Sequence, residues 1–280
     1  TTTTSNYNVA VGKNAGLSIT TGVNNVLVGA LAGDAITDAD FNVAVGTGAL
    51  GTNQLGSRSV AVGEGALLTQ NPTTATNMYN TAVGFNAGND VTTGTINTLI
   101  GGLAGDALTT GNSNVAMGYN ALGGDTKGDR STAIGFQALA VQNFTTNTDN
   151  YNTAVGYNAG VAVTTGTFNT LVGGLCGDGM TTGSNNVGMG VNTMGSGTIT
   201  GNDNTAMGFA AGINLSTGSN NLLLGHDAGI TGSPGGNIDT ENNEICLGDD
   251  NISEAHIQVA LTVASDERDK TDFVDLDLGL

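Results

Sequence analysis

The sequence predicts an all-β fold, a parallel β-solenoid or β-roll of about fourteen coils with seventeen residues in most coils. One observation is compositional: 46 of the 280 residues are Gly, aromatic residues make up 4%, and Trp is absent, so one thick globular core is not expected. The other is a glycine that ends a short apolar run and recurs, in most steps, at every seventeenth position. Such a fixed period is typical of a solenoid. These glycines are Gly12, Gly29, Gly46, Gly63, Gly84, Gly101, Gly118, Gly135, Gly156, Gly173, Gly190, Gly208, Gly225 and Gly248.

The first element of each coil is a short strand that ends one residue before this glycine. Its last residue is always apolar and its first is Val, Thr, Leu or Ile, as in Val28 and Val26. β-Branched residues that alternate with period two indicate a strand. We expect these two columns to point into the coil and the residue between them, such as Leu27 or Ala44, to point outward. An outward row of Ala and Leu needs cover, which predicts that several chains pack together.

The remaining elements of the coil are turns. Asn precedes the strand in 11 of 14 coils, which predicts side-chain amides that bond from one coil to the next. Sequences such as Thr20-Thr21-Gly22 predict tight turns in which Gly supplies a positive φ. Rows of Thr also occur on ice-binding surfaces, but Gln54, Asn71 and Asn143 interrupt this row. Turn hydrogen bonds are therefore the favoured interpretation.

A longer period sets the domain organisation. Gly12, Gly84 and Gly156 follow one another at equal steps of seventy-two positions, because every fourth coil carries four extra residues. We predict a shaft over residues 1–250, a connector strand over 251–264 and the start of a C-terminal domain over 265–280. The extra residues should protrude from an otherwise uniform surface and supply contacts to a partner. The candidate binding residues are Asn77, Met78, Tyr79, Phe144 and Asp149.

Charge and motif content argue against several classes of function. The net charge of −18 at pH 7 disfavours binding to nucleic acid or to anionic lipid, and no apolar run is long enough for membrane insertion. The carboxylates are spread over turns without the calcium-binding nonapeptide, and His226 and His256 are far apart. We therefore expect neither a metal nor another cofactor. Cys176 and Cys246 are predicted to be free, packed thiols, and no catalytic motif identifies an enzyme.

Two segments resemble known families. The run Asn80-Thr81-Ala82-Val83-Gly84-Phe85-Asn86-Ala87-Gly88 resembles the head repeats of trimeric autotransporter adhesins of the YadA type. Similar repeats occur in phage tail-fibre proteins, and the likeness covers residues 6 to about 250. The run Ser265-Asp266-Glu267-Arg268-Asp269-Lys270 looks like the opening of the endosialidase-type intramolecular chaperone domain of phage tail spikes and fibres, called peptidase S74.

The resemblances imply a structural function. They imply a left-handed β-roll of three packed chains that forms a tail-fibre shaft in a bacteriophage virion. Its partners would be its own copies, other virion proteins and a host-cell receptor. The alternative is a bacterial adhesin of the trimeric autotransporter class, located on the cell surface. A chaperone domain beyond residue 280 would favour the phage protein, and a coiled-coil stalk with a membrane β-barrel would favour the adhesin.

The chaperone resemblance also implies one catalytic event. The related domains cut themselves off before the motif serine, so the Ala264–Ser265 bond would be cleaved once, in the full-length protein only. Ser265 would be the nucleophile and Lys270 a candidate base, since a desolvated Lys can accept the hydroxyl proton. Apart from this single turnover, the protein is not expected to be an enzyme.

Overall fold

The structure is a computed structural model, and it describes residues 6–254 and 256. The chain divides into two compact units, Thr1–Asp250 and Asn251–Leu280. The described residues form eighteen strands and no helix, so the prediction of an all-β fold is confirmed. The strands are β1 (Val9–Val11), β2 (Val26–Val28), β3 (Val43–Val45), β4 (Gly56–Ser57), β5 (Val60–Val62), β6 (Thr76–Asn77), β7 (Thr81–Val83), β8 (Thr98–Ile100), β9 (Val115–Met117), β10 (Gly128–Asp129), β11 (Thr132–Ile134), β12 (Thr148–Asp149), β13 (Thr153–Val155), β14 (Thr170–Val172), β15 (Val187–Met189), β16 (Thr205–Met207), β17 (Leu222–Leu224) and β18 (Ile245–Leu247).

Fourteen of these strands form one sheet, in the order β1-β2-β3-β5-β7-β8-β9-β11-β13-β14-β15-β16-β17-β18. Each strand pairs in parallel with the strand of the next coil, and the columns of the repeat stay in register. Val26 pairs with Val43, for example, and Leu27 with Ala44. Fourteen strands delimit thirteen turns of a parallel β-solenoid. At about 4.8 Å between strands, the sheet is roughly 60 Å long.

The other four strands form two small sheets where the chain carries its extra residues. β4 pairs with β6 and β10 pairs with β12, both in parallel. The second pair begins at Gly128, one longer period of the sequence after Gly56, where the first pair begins. The longer period of the sequence is thus also a period of the structure. Of the predicted connector at 251–264, residues 251–254 and 256 are described, and none of these five is in a strand.

The prediction of which strand face points inward was wrong. From β2 onward the middle residues of the main-sheet strands, such as Leu27 and Ala44, are buried, whereas Val83 is 36% and Met117 38% exposed. Alternation with period two separates two faces but does not say which one is inside. Asn42, which is also fully buried, precedes the middle residue of its strand by two positions and so lies on the same side. The Asn column therefore marks the interior.

Leu side chains in the middle column pack against glycines of two successive coils. A Cβ atom on Gly88 or on Gly105 would lie only 2.6 or 2.7 Å from a methyl carbon of Leu99. In the next coil the arrangement is exchanged: the middle residue is Ala116, and a buried Leu122 takes the place of the glycine. Leu99 thus fills the space that two glycines leave, Leu122 fills the space beside Ala116, and the interior stays densely packed.

Hydrogen bonds between coils satisfy the polar groups of the turns. Oδ1 of Asn25 accepts the backbone N–H of Asn42 (2.9 Å), and Nδ2 of Asn42 donates to the carbonyl of Gly56 (3.0 Å). The predicted bonding of stacked amides is therefore confirmed. The hydroxyl of Thr92 donates to the carbonyl of Thr109 in the next coil (3.0 Å), and other Thr of this row do the same. These hydroxyls serve the turns, as predicted. The predicted positive φ of the turn glycine was wrong: Gly22 has none, and its Cβ would instead lie 2.6 Å from the carbonyl oxygen of Ala39 in the next coil.

Candidate functional site

The outward face of the 14-stranded sheet forms a continuous surface that is uncharged and largely apolar, although six of its strands begin with Thr. We call it the sheet face and define it as the first and last residues of the fourteen three-residue strands. The last residue is Val, Ile, Met or Leu in every strand. In a chain with a net charge of −18, none of these fourteen strands contains a charged residue. The side chains of the sheet face are half-buried or exposed. For example, Val26 in β2 is 37% exposed and Ile245 in β18 is 70% exposed.

Aromatic side chains extend the sheet face at both edges. Beyond the strand-ending glycines, the ring of Phe136 stacks on those of Tyr119 and Tyr157, with centroids 5.6 and 5.4 Å apart. On the other edge Tyr151 stacks on Phe168 at 5.6 Å. In other coils the same two edge columns hold charged side chains, such as Arg58 and Glu64. The strands themselves form a strip of roughly 600 Å², which is at the upper end of the apolar patches that single-chain soluble proteins expose to water.

The sequence predicts packing between chains through the middle column of the strands, but in the structure the sheet face is the side that points outward. Ala and Leu of the middle column, such as Ala61 and Leu171, lie in the interior of the solenoid and cannot contact another chain. The last residues of the strands, such as Val62 and Val172, are only half-buried instead. The sequence already carried the signal, because this column is apolar in all fourteen coils whereas the middle column alternates in size.

The candidate binding residues of the two insertions lie in different environments. Asn77, Tyr79 and Asp149 are exposed, but Met78 is fully buried and Phe144 is only 6% exposed. The expectation that Met78 and Phe144 protrude was therefore wrong. These two side chains are buried without joining the hydrophobic cluster that runs through the coils. β6 and β12 hold Asn77 and Asp149 beside the preceding coil.

Sequence reasoning missed two arginines next to these exposed residues. Nε of Arg58 donates to Oδ1 of Asn77 at 3.0 Å, and the guanidinium of Arg130 forms an ion pair with the carboxylate of Asp149. The two arginines are separated by one longer period of the sequence. Comparing equivalent positions of the longer repeat could have found them, because cations are rare in this chain: Lys and Arg total six.

A buried acid lies below the second insertion. Asp125 is fully buried and accepts hydrogen bonds from the backbone N–H of Gly128 (3.0 Å) and from Nε2 of Gln142 (2.6 Å). Burial raises the pKa of Asp125, although these hydrogen bonds act in the opposite direction. Asn53 occupies the equivalent position one longer period earlier, where its Nδ2 donates to the carbonyl of Gly56 (2.7 Å).

The groups considered for metal or redox chemistry are dispersed. Within residues 6–254 and 256, no cluster of three or more His, Cys, Asp and Glu is arranged to hold a metal ion, and no pocket is found. Cys176 and Cys246 are both free and buried, as predicted. Burial raises the pKa of the Cys176 thiol to about 12, so this thiol stays protonated and unreactive at neutral pH. Ser265 and Lys270 lie outside the described residues.

Comparison of the chain with protein-family models, with curated proteins and with solved structures gave no match. Across the part of the chain that the structure describes, no helix is long and apolar enough to cross a membrane.

Proposed function

We propose that this protein is the shaft of a bacteriophage tail fibre, a homotrimeric structural component of the virion that supports attachment to the host cell. The observation that carries the proposal is the sheet face, which is uncharged along all fourteen strands of the main sheet and has an apolar last residue in every one. A surface of this length and regularity fits permanent contact with an equally long and regular partner.

The most suitable partner for the sheet face is another copy of the same chain. Its strip of roughly 600 Å² approaches the about 800 Å² per partner that stable protein interfaces bury. The strands of the main sheet carry no acidic residue, so two chains can approach through their sheet faces with little charge repulsion. Three chains around a common axis would each bury the sheet face and keep its edge columns and the acidic turns in solvent.

The C-terminal motif supports the phage assignment. Ser265 and Lys270 lie in a run that resembles the opening of a trimer-forming chaperone domain. Such a domain would bring three chains into register before the shaft assembles. Self-cleavage at Ala264–Ser265 stays a separate prediction for the full-length protein, and its failure would leave the trimeric shaft untouched.

The test of the proposed function is the native mass of the full-length protein by light scattering. Wild type should have three times the mass of one chain. Ile134→Glu places a carboxylate at the centre of the sheet face, on a side chain that is half-buried in the single chain. In the trimer this charge would be buried without a partner, at a cost of several kcal/mol per copy, so the variant should dissociate into folded monomers.

The matched control adds the same charge elsewhere. Thr93 is exposed on a Thr-Thr-Gly turn, away from the sheet face, so Thr93→Glu should remain trimeric. Circular dichroism of both variants shows whether the solenoid is still folded. A wild-type protein that is monomeric at all concentrations, or an Ile134→Glu variant that is as trimeric as Thr93→Glu, would contradict assembly through the sheet face.

A further inference from the structure

Two arginines occupy equivalent places on the solenoid. Arg58 and Arg130 are one longer period apart, both adopt a positive φ, of 65° and 64°, and both lie immediately before the Ser that precedes a strand of the main sheet. The side chain of each arginine contacts the small sheet of its own insertion: Arg58 donates to Asn77, and Arg130 pairs with Asp149. Asn77 and Asp149 are themselves equivalent positions, so the first site has an amide where the second has a carboxylate. The sites also differ in the preceding coil, where Phe41 of the first corresponds to Ser113 of the second.

The second site holds its own carboxylate. Asp149 forms an ion pair with Arg130, whose guanidinium also lies 5.4 Å from the ring centroid of Tyr151. About half of each charged side chain is exposed, at 46% for Arg130 and 51% for Asp149. The pair therefore shows that this place on the coil accepts a carboxylate on a guanidinium that lies beside an aromatic ring.

The first site has the guanidinium and the ring but no carboxylate. Arg58 is exposed and lies 4.8 Å from the ring centroid of Phe41. Its Nε donates to the neutral side chain of Asn77, and no ion pair with a described acid is formed. The carboxylate of Asp40, in the preceding coil, accepts a hydrogen bond from the backbone N–H of Val23 (2.7 Å). The terminal nitrogens of the Arg58 guanidinium are thus left for a ligand from outside.

We propose that Arg58 binds a carboxylate group of an acidic polysaccharide, in the place that Asp149 fills at the second site. The planar guanidinium can donate two parallel hydrogen bonds to a carboxylate, and the exposed rings of Phe41 and Tyr79, 48% and 54% exposed, flank it in neighbouring coils. The inference rests on the proposed function for the origin of the polysaccharide, which would be the surface of the host cell. Three copies of the site in a trimer would raise the avidity of a weak contact.

The experiment measures binding of the full-length protein to immobilised hyaluronan, a polymer that carries one carboxylate per disaccharide, with neutral dextran as the reference surface. A salt concentration of about 0.15 M screens the long-range repulsion between two polyanions beyond about 8 Å. Wild type should bind hyaluronan and not dextran. Asn77→Asp should weaken binding roughly tenfold or more, because an internal carboxylate then occupies Arg58.

The reciprocal variant makes the test specific. Asp149→Asn should open the second site and about double the number of binding sites per chain. Two further variants control for net charge on the same column as the arginines: Asn185→Asp adds a negative charge and Asp203→Asn removes one, at exposed positions with positive φ. Both should bind as wild type does.

Three outcomes would overturn the inference: no binding of wild type to hyaluronan, equal binding of wild type and Asn77→Asp, or equal effects of Asn77→Asp and Asn185→Asp. Light scattering of the same samples reports the assembly state independently. A trimer that does not bind hyaluronan would refute the role of Arg58 alone, whereas a monomer that binds would refute the trimeric shaft and leave the site intact.

Discussion

The strand-ending glycine is the most constrained residue of each coil. Its φ lies near +140° in most coils, as at Gly173, a region that side-chain-bearing residues rarely adopt. A Cβ atom on Gly173 would also overlap the carbonyl oxygen of Gly190 in the next coil. Two independent requirements, the backbone conformation and the close approach of successive coils, therefore exclude any other residue.

Gly173→Ala should therefore lower the free energy of unfolding by more than about 2 kcal/mol, since a strained φ and a backbone overlap add. The adjacent Gly174 provides the control. It has no positive φ, and a Cβ atom there would meet nothing within 4 Å, so Gly174→Ala should change stability by less than about 0.5 kcal/mol. Thermal unfolding of the two variants measures the difference, and equal destabilisation would show that the column is not set by this geometry.

At the scale of the element, the two insertions are built alike around different polar groups. Asn53 and Asp125 are equivalent, and each accepts a backbone N–H in the turn above its small sheet, from Gly56 or from Gly128. Asn53 also donates a hydrogen bond to a carbonyl, which an ionised carboxylate cannot do. The second insertion therefore carries a charge in the interior that the first avoids.

The raised pKa of Asp125 gives this difference a pH dependence. A folded state that holds the proton more tightly than the unfolded state loses stability as pH rises through the folded pKa. Asp125→Asn should therefore gain stability over wild type as pH increases from 4 to 7, by on the order of 1 kcal/mol. Asn53→Asp should lose a similar amount over the same range. Denaturant titrations at several pH values test both, and parallel pH profiles for all three proteins would contradict the assignment.

The strands and turns could be predicted from the sequence because they depend on local chemistry. Period-two alternation places a strand before each glycine, and Thr-Thr-Gly places a turn. The inward face could not be read from alternation alone, although two signals were present: buried Asn42 shares a face with the middle column, and Leu99 coincides with glycines at Gly88 and Gly105. Packing between coils, not propensity, makes that choice.

The candidate site was predictable only in part, for a related reason. Position in an insertion correctly indicated that Asn77, Tyr79 and Asp149 are exposed. It failed for Met78 and Phe144, because an inserted segment can also add to the interior. The importance of Arg58, which directly follows β4, depends on which residue of β6 its side chain reaches, and that contact is visible only in three dimensions.

At the scale of the whole molecule, the solenoid is a sum of contacts between neighbouring coils. Strand pairing in the main sheet joins each strand only to those of the coils before and after it, so among the described strands no pairing spans the length of the solenoid. Stability in such a chain is approximately the sum of coil and interface contributions. A segment that begins and ends at equivalent positions should therefore be removable.

Deletion of residues 85–156 removes one complete longer repeat and joins Gly84 to Tyr157, the equivalent of Phe85. The shortened chain should fold cooperatively, keep an uninterrupted sheet face and remain trimeric. Its solenoid should be shorter by four coils, roughly 19 Å at about 4.8 Å per strand, as measured by electron microscopy or small-angle scattering.

The matched deletion of residues 85–164 removes eight further positions and leaves Gly173 only nine positions after Gly84, where a coil needs seventeen. The sheet then cannot continue in register, so this variant should split into two weakly coupled halves with a lower unfolding temperature. If both deletions behave alike, the register of the coils does not control folding. If only the deletion of the complete repeat folds, the longer repeat is the unit from which the length of the solenoid is built.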